Sequence, residues 1–356
     1  MKVLGIFRGF PGLGRVVGGV SLLEELHDRY GYEVKFISYL QGKKYLEGKG
    51  YTDFPEVSSA DYCSIGLLPT NKFALHIFQC IKSFSPDLII IDGEPLILHS
   101  IKISFPSIKV IVLLNPSDVD NPSNDKEAMD YFNANYSMAD LAIVHGLKSS
   151  IKIPSSYDEI ITTNTILRRE ILELKLKSKP HSNSIYCILG GGTINSGKGF
   201  LESTIRIGEI VKDLTTLLPE CKFHVLCGSL NIYNILVKDN ISTNIILYDR
   251  ILPPEEYYKT ADAIITRSGR NTLSELAYLG IPAIAFITGD KYRMEEQRNN
   301  IESLNSSNVV SMGIESSVDE IAKCLKHSLS FGICSRPNFS PGNKMALLKI
   351  RNFIES

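Results

Sequence analysis

The chain has 356 residues, too many for one ordinary core and suited to two domains of similar size. With 44% hydrophobic and 22% charged residues it has the make-up of a soluble globular protein, and a net charge of −1 excludes the basic excess that nucleic acid or an anionic membrane would require. Its 7 cysteines include no C-x-x-C pair and no clustering with histidine, which argues for reduced thiols in a cytoplasmic protein and against a disulfide framework or zinc site.

Lys2–Phe7 reads as the first strand, and Arg8 interrupts the apolar run too early for a signal peptide. Short, mostly β-branched runs follow at 34–38, 88–91, 110–114 and 141–144, with helical patterns at 16–30 and 73–84. Apolar strands separated by helices imply a parallel sheet covered on both faces. From 164 to 183 the pattern weakens into a polar, basic stretch, read as the interdomain connection. The alternation resumes at 185–189, 223–227, 245–247, 263–266 and 283–286, and Pro341-Gly342 opens a last helix at 343–354. The expected fold is α/β, two doubly wound Rossmann-like domains facing across a cleft. Their boundaries are 1–165, a linker at 166–183, 184–340, and a C-terminal helix at 341–356 that packs back on the first domain. Ligands of such sheets bind outside the carboxyl ends of the strands. No apolar run is long enough to span a membrane as a helix.

Four places in the second half suit one ligand. Gly190-Gly191-Gly192-Thr193 follows a strand and precedes a helix that starts near Gly199, where glycines let the backbone approach a phosphate or simply make a tight turn. Arg250-Ile251 follows the strand at 245–247, where backbone groups can pair with a base edge. Ser268-Gly269 opens the next helix, and a helix start directs N–H groups and positive dipole at an anion. Glu275 lies one turn further in. It is suited to accept hydrogen bonds from ribose hydroxyls, but Thr272-Leu273-Ser274-Glu275 also has the form of a capping box. Glu296-Gln297 starts a further helix, either in reach of sugar hydroxyls or as an ordinary solvated helix start.

Together these segments resemble the GT-B glycosyltransferases of family 28. The likeness is strongest over residues 250–300, carried by Thr266-Arg267-Ser268-Gly269, Ser274-Glu275, Gly280-Ile281-Pro282 and 297–300, and shorter around Gly190 to Thr193. Thr163-Asn164-Thr165 falls where that family has its linker. The resemblance implies that Glu275 binds the ribose and that Gly191, Gly192 and Ser268 hold the diphosphate; Thr193, Gly269 and Thr272 are further donor-binding candidates. It further implies that Ile251 holds the base through its backbone and that Glu296 and Gln297 touch the donor sugar, with Arg250 a further donor-binding candidate. Glu296 stands where Gln or Asp is more usual.

The first half departs from that family where the chemistry should be. Its Gly-rich turn is Arg8-Gly9-Phe10-Pro11-Gly12-Leu13-Gly14-Arg15, with Arg15 in the place of the histidine that related enzymes use as base. An arginine stays protonated and cannot be a general base, so Arg15 either clamps a phosphate or acidic acceptor or caps the helix turn. Residues just after strand ends supply other candidates. Asp92, Glu94 and His145 are the candidate bases, and Gly12, Gly14, Asn115 and Asp118 are the expected acceptor contacts.

The expected activity is an inverting, metal-independent transfer from a nucleotide diphosphate sugar, UDP-linked by resemblance, to an acceptor hydroxyl or amine. The nucleotide sugar is a co-substrate, and no cofactor or metal is expected. The acceptor is a small molecule, a glycan or a lipid-linked species, and a partner protein belongs among the alternatives. A hydrolase of the same fold and a non-catalytic nucleotide-sugar-binding protein are the rivals; an epimerase shares the architecture but not the sequence at 267–271. The expected location is the cytoplasm, including the inner membrane face.

Overall fold

The computed structural model describes residues 1–9, 12–54, 71–147, 151–174, 176, 182–190, 198–238, 242–250, 252–288, 291–304, 306–333 and 338–355. The chain divides into two compact units, Met1–Arg168 with Pro341–Ser356, and Arg169–Ser340.

The first unit is built on six parallel strands in the order β2-β1-β3-β4-β5-β6. They are β1 Lys2–Phe7, β2 Glu33–Ile37, β3 Leu88–Asp92, β4 Lys109–Leu114, β5 Leu141–His145 and β6 Ile160–Thr163. Successive side chains of a strand point to opposite faces, and here both faces are apolar. Leu4, Ile6, Ile89, Ile91, Val110 and Val112 enter one core, while Val3, Phe7, Leu88, Ile90, Ile111 and Leu113 enter the other. The helix Gly14–Tyr30 covers the second face and ends at Gly31 in the left-handed conformation. The last helix, Asn343–Glu355, lies on the same side and buries Ala346, Leu347 and Ile350 in that core.

The second unit repeats the plan with the order β12-β11-β10-β7-β8-β9. Its strands are β7 Ser184–Ile188, β8 Lys222–Leu226, β9 Ile245–Tyr248, β10 Ala263–Arg267, β11 Ala283–Phe286 and β12 Val309–Met312. Ile185, Cys187, Phe223, Val225, Ile265 and Phe286 pack against the helices Lys198–Leu217 and Val318–Phe331. On the opposite face Tyr186 stacks on His224, with ring centroids 4.3 Å apart and planes 9° from parallel.

Two strands escape the sequence reading, β6 and β12. Each is four residues long, pairs on one side only and is partly exposed along its length. Edge strands of this kind lack the continuous apolar run that marks the interior ones.

Candidate active site

In the second unit, β10 ends at Arg267 and the helix Arg270–Leu279 begins three residues later, with Gly269 as its N-cap and no side-chain cap. Gly269 is exposed, and its own N–H donates to the Arg267 carbonyl at 2.8 Å. Ser268 does not share that exposure. It is wholly buried, and both its N–H and its hydroxyl donate to the Phe286 carbonyl, at 2.9 and 3.1 Å. Its oxygen ties the turn to the end of β11.

The capping box proposed for Thr272 and Glu275 does not form, because the helix N-cap, Gly269, lies three residues before Thr272. Thr272 is half-buried within the first turn. Glu275 is 1% exposed and its Oε2 accepts the Tyr258 hydroxyl at 2.8 Å. Tyr258 lies in the helix Pro254–Thr260 and is itself fully buried, so the carboxylate is fixed from behind by a rigid partner.

Gln297 is likewise turned inward. Its amide oxygen accepts the Thr288 N–H at 3.0 Å and its amide nitrogen donates to the Thr288 carbonyl at 2.6 Å. Both ends of the side chain hold the segment after β11. Asn300, one turn on, donates to the Ser268 carbonyl at 3.3 Å. Glu296 is half-buried on the same helix, Lys291–Leu304. Arg250 is exposed beyond β9. Gly191, Gly192, Thr193 and Ile251 lie outside the described residues.

In the first unit the carboxyl edge of the sheet gathers charge of both signs. Arg15, on the first turn of its helix, donates through Nη1 to Asp92 Oδ1 at 2.8 Å and to Asp118 Oδ2 at 2.9 Å, and through Nη2 to Asp118 Oδ1 at 2.7 Å. Asp118 also accepts the Asn115 N–H at 2.8 Å. Burial alone would raise the Asp118 carboxyl, but the Arg15 guanidinium outweighs it and holds the group below the usual carboxylate range. Arg15 thus clamps carboxylates of its own chain, and Asp118, expected to meet the acceptor, is already engaged. Gly14 opens the Arg15 helix at an exposed position and Gly12 is half-buried just before it.

Asp92 and His145 close their strands rather than follow them. The Ile166 N–H donates to His145 Nδ1 at 3.3 Å, and His145 Nε2 stands 3.9 Å from Asp92 Oδ2. Glu94 sits two residues beyond β3. Its Oε1 accepts the Tyr39 hydroxyl at 2.5 Å, and Arg8 Nε lies 3.7 Å away. Burial raises the Glu94 carboxyl despite Arg8 and Tyr39, which oppose it.

Residues 205–330 match the profile of the glycosyltransferase family 28 C-terminal domain. A UDP-N-acetylglucosamine–N-acetylmuramyl-(pentapeptide) pyrophosphoryl-undecaprenol N-acetylglucosamine transferase of Rickettsia canadensis is 27% identical over 294 residues, spanning 80% of this chain and 78% of that one. The chain is a family 28-like glycosyltransferase. Its fold is GT-B. The solved structure of Acinetobacter baumannii MurG aligns over 99% of this chain and 100% of its own, with a TM-score of 0.53 at 14% identity. The UDP-GlcNAc 2-epimerase of Neisseria meningitidis, bound to UDP-GlcNAc, aligns over 100% of each chain with a TM-score of 0.62 at 13% identity. These two likenesses concern the fold. Among the described residues, no helix of the transferase is long and apolar enough to cross a membrane.

Tyr258, Tyr39 and Thr288 are the site neighbours that sequence reasoning missed. Tyr258 and Tyr39 touch their carboxylates 17 and 55 residues away in the chain, so no local motif marks them.

Proposed function

We propose that the transferase moves a sugar from a UDP-linked donor to a hydroxyl or amine of an acceptor, with inversion at the anomeric carbon and without a metal. The second unit takes the donor and the first holds the acceptor. In this reading the ribose hydroxyls donate to Glu275, and the diphosphate lies at the helix start after Gly269. Fixed N–H dipoles there stabilise the leaving diphosphate at no reorganisation cost during the reaction. The observation that carries the reading is Glu275 itself: a carboxylate buried one turn into the helix that follows the Ser268-Gly269 turn, and anchored by Tyr258. The Rickettsia relative names UDP-N-acetylglucosamine as donor and an undecaprenol-linked acceptor, so UDP-GlcNAc and a polyprenyl-linked sugar pyrophosphate are the first pair to test.

The test is mass spectrometry of the purified protein with UDP-, GDP- and dTDP-sugars, with and without a lipid and metabolite extract. Release of UDP that depends on extract, with a matching gain of sugar mass in an acceptor, supports a transferase. Glu275→Ala is expected to raise the donor KM by about 10- to 100-fold, the weight of one or two hydrogen bonds to a charged group. Free sugar released without acceptor would reassign the protein to hydrolysis, and failure of every donor to bind would remove the site.

A further inference from the structure

The hydroxyls around the Ser268-Gly269 turn of the second unit divide by what they hold. Those of Thr266, Ser268 and Ser274 donate to backbone carbonyls, of Ile188 at 3.2 Å, Phe286 at 3.1 Å and Arg270 at 2.8 Å. These three secure the local fold. The Tyr258 hydroxyl instead donates to a side-chain carboxylate, Glu275 Oε2, at 2.8 Å. Both side chains are buried, and they come from different helices, Pro254–Thr260 and Arg270–Leu279.

Tyr258 is itself held in place by its surroundings. Its ring centroid lies 4.5 Å from that of Tyr257, which in turn lies 6.1 Å from that of Tyr186. Thr260, two residues on, hydrogen-bonds the Tyr186 hydroxyl at 2.9 Å, which ties the short helix to β7. A phenol fixed in this way sets the plane of the carboxylate it meets. It leaves that carboxylate most of its accepting capacity, since an ionised carboxyl group has about four lone-pair positions and one hydroxyl fills one of them. Two hydroxyls on adjacent carbons can share a single carboxylate only at a defined angle, so an acceptor whose plane is already set binds them without first having to be ordered.

We propose that Tyr258 is a positioning residue of the donor site: it sets the Glu275 carboxylate for the two vicinal hydroxyls of a ribose and so makes the site selective for ribonucleotide over deoxyribonucleotide diphosphates. This rests on the donor reading above, in which the ribose hydroxyls donate to Glu275. Tyr258 acts on the nucleotide only through that carboxylate. Without the phenol hydroxyl, Glu275 loses the bond that fixes its plane, and ordering the side chain becomes part of the cost of binding. The loss falls on nucleotides that carry the ribose hydroxyls and spares those that lack them.

Isothermal titration calorimetry of the full chain compares UDP with 2′,3′-dideoxy-UDP, which has the same base and diphosphate and neither ribose hydroxyl. The wild type is expected to bind UDP about 10- to 100-fold more tightly, the weight of hydrogen bonds to a charged group. Glu275→Ala is expected to bring the two nucleotides to equal Kd. Tyr258→Phe is expected to weaken UDP about 3- to 10-fold and to leave the dideoxy nucleotide within about twofold of its wild-type Kd. In the Glu275→Ala background, Tyr258→Phe is expected to change neither Kd. Binding of the dideoxy nucleotide also reports an intact fold, because a damaged site loses it as well. Unchanged selectivity in Tyr258→Phe, equal loss of both nucleotides, or a further loss of UDP in the Glu275→Ala background overturns the positioning role. The donor reading then still stands if Glu275→Ala abolishes the selectivity. A wild type that binds the two nucleotides equally, or binds neither, overturns the ribose role of Glu275 and this proposal with it.

Discussion

Glu94 separates two demands that usually coincide in a buried side chain. Its carboxyl is raised by burial, against the pull of Arg8 and Tyr39, so the fold disfavours its charged form. A group with a raised native pKa gives its full stability below its unfolded value, about 4.3 for glutamate, and loses it as pH rises through the native value. Glu94→Gln is therefore expected to melt at the same temperature as the wild type near pH 4 and above it at neutral pH. Thermal melts across that range check this, since the other titrating groups cancel in the difference. Asp118 shows the ordinary case, a carboxyl held down by a guanidinium that it stabilises in turn. Little of this is legible in the sequence. Arg15 stands 77 and 103 residues from the aspartates that engage it, so a clamp on a ligand and a clamp on its own chain look alike until the strands are aligned.

Elements, by contrast, announce themselves in proportion to how deeply they are buried. Every interior strand of both sheets carries an apolar run readable without coordinates, whereas β6 and β12 are short, partly exposed edge strands broken by threonine or serine and visible only through their pairing. Helix starts are harder, because a spacing such as Thr272 to Glu275 fits a cap equally well wherever the helix begins. The true start at Gly269 settles the matter by three residues. One turn between elements carries unusual weight. Gly93, between Asp92 and Glu94, has φ +83°, and a Cβ there would stand 2.5 Å from Arg15 Cδ. Gly93→Ala is expected to cost about 2 kcal/mol or more, from the left-handed backbone and the displaced Arg15. Denaturant titration measures the cost, and a fully stable variant would contradict this account of the turn.

At the scale of the whole molecule, the first unit is made of two stretches separated in sequence by the entire second unit. The join is tight. Gly342 packs so closely that a Cβ would lie 2.0 Å from the Asn164 carbonyl oxygen. Asn343 next to it exchanges two hydrogen bonds with the Leu167 backbone, both at 2.9 Å, and donates to Glu25 at 3.2 Å and Ser21 at 3.3 Å. Asn343→Ala leaves a buried N–H and carbonyl at Leu167 unmatched and is expected to destabilise the first unit by about 2–3 kcal/mol. Hydrogen exchange should show the loss in the helix Asn343–Glu355 and its neighbour Gly14–Tyr30, with the sheet of the second unit unchanged. The closing of one unit by the last 16 residues has a consequence for how the molecule is made. On the ribosome the amino-terminal sheet emerges first but lacks the segment that covers Val16, Val20 and Leu23, while the later unit is continuous and can close as soon as it is free. The half of the protein that is synthesised first is thus the half completed last, and it waits for the final turns of chain before its interior is sealed.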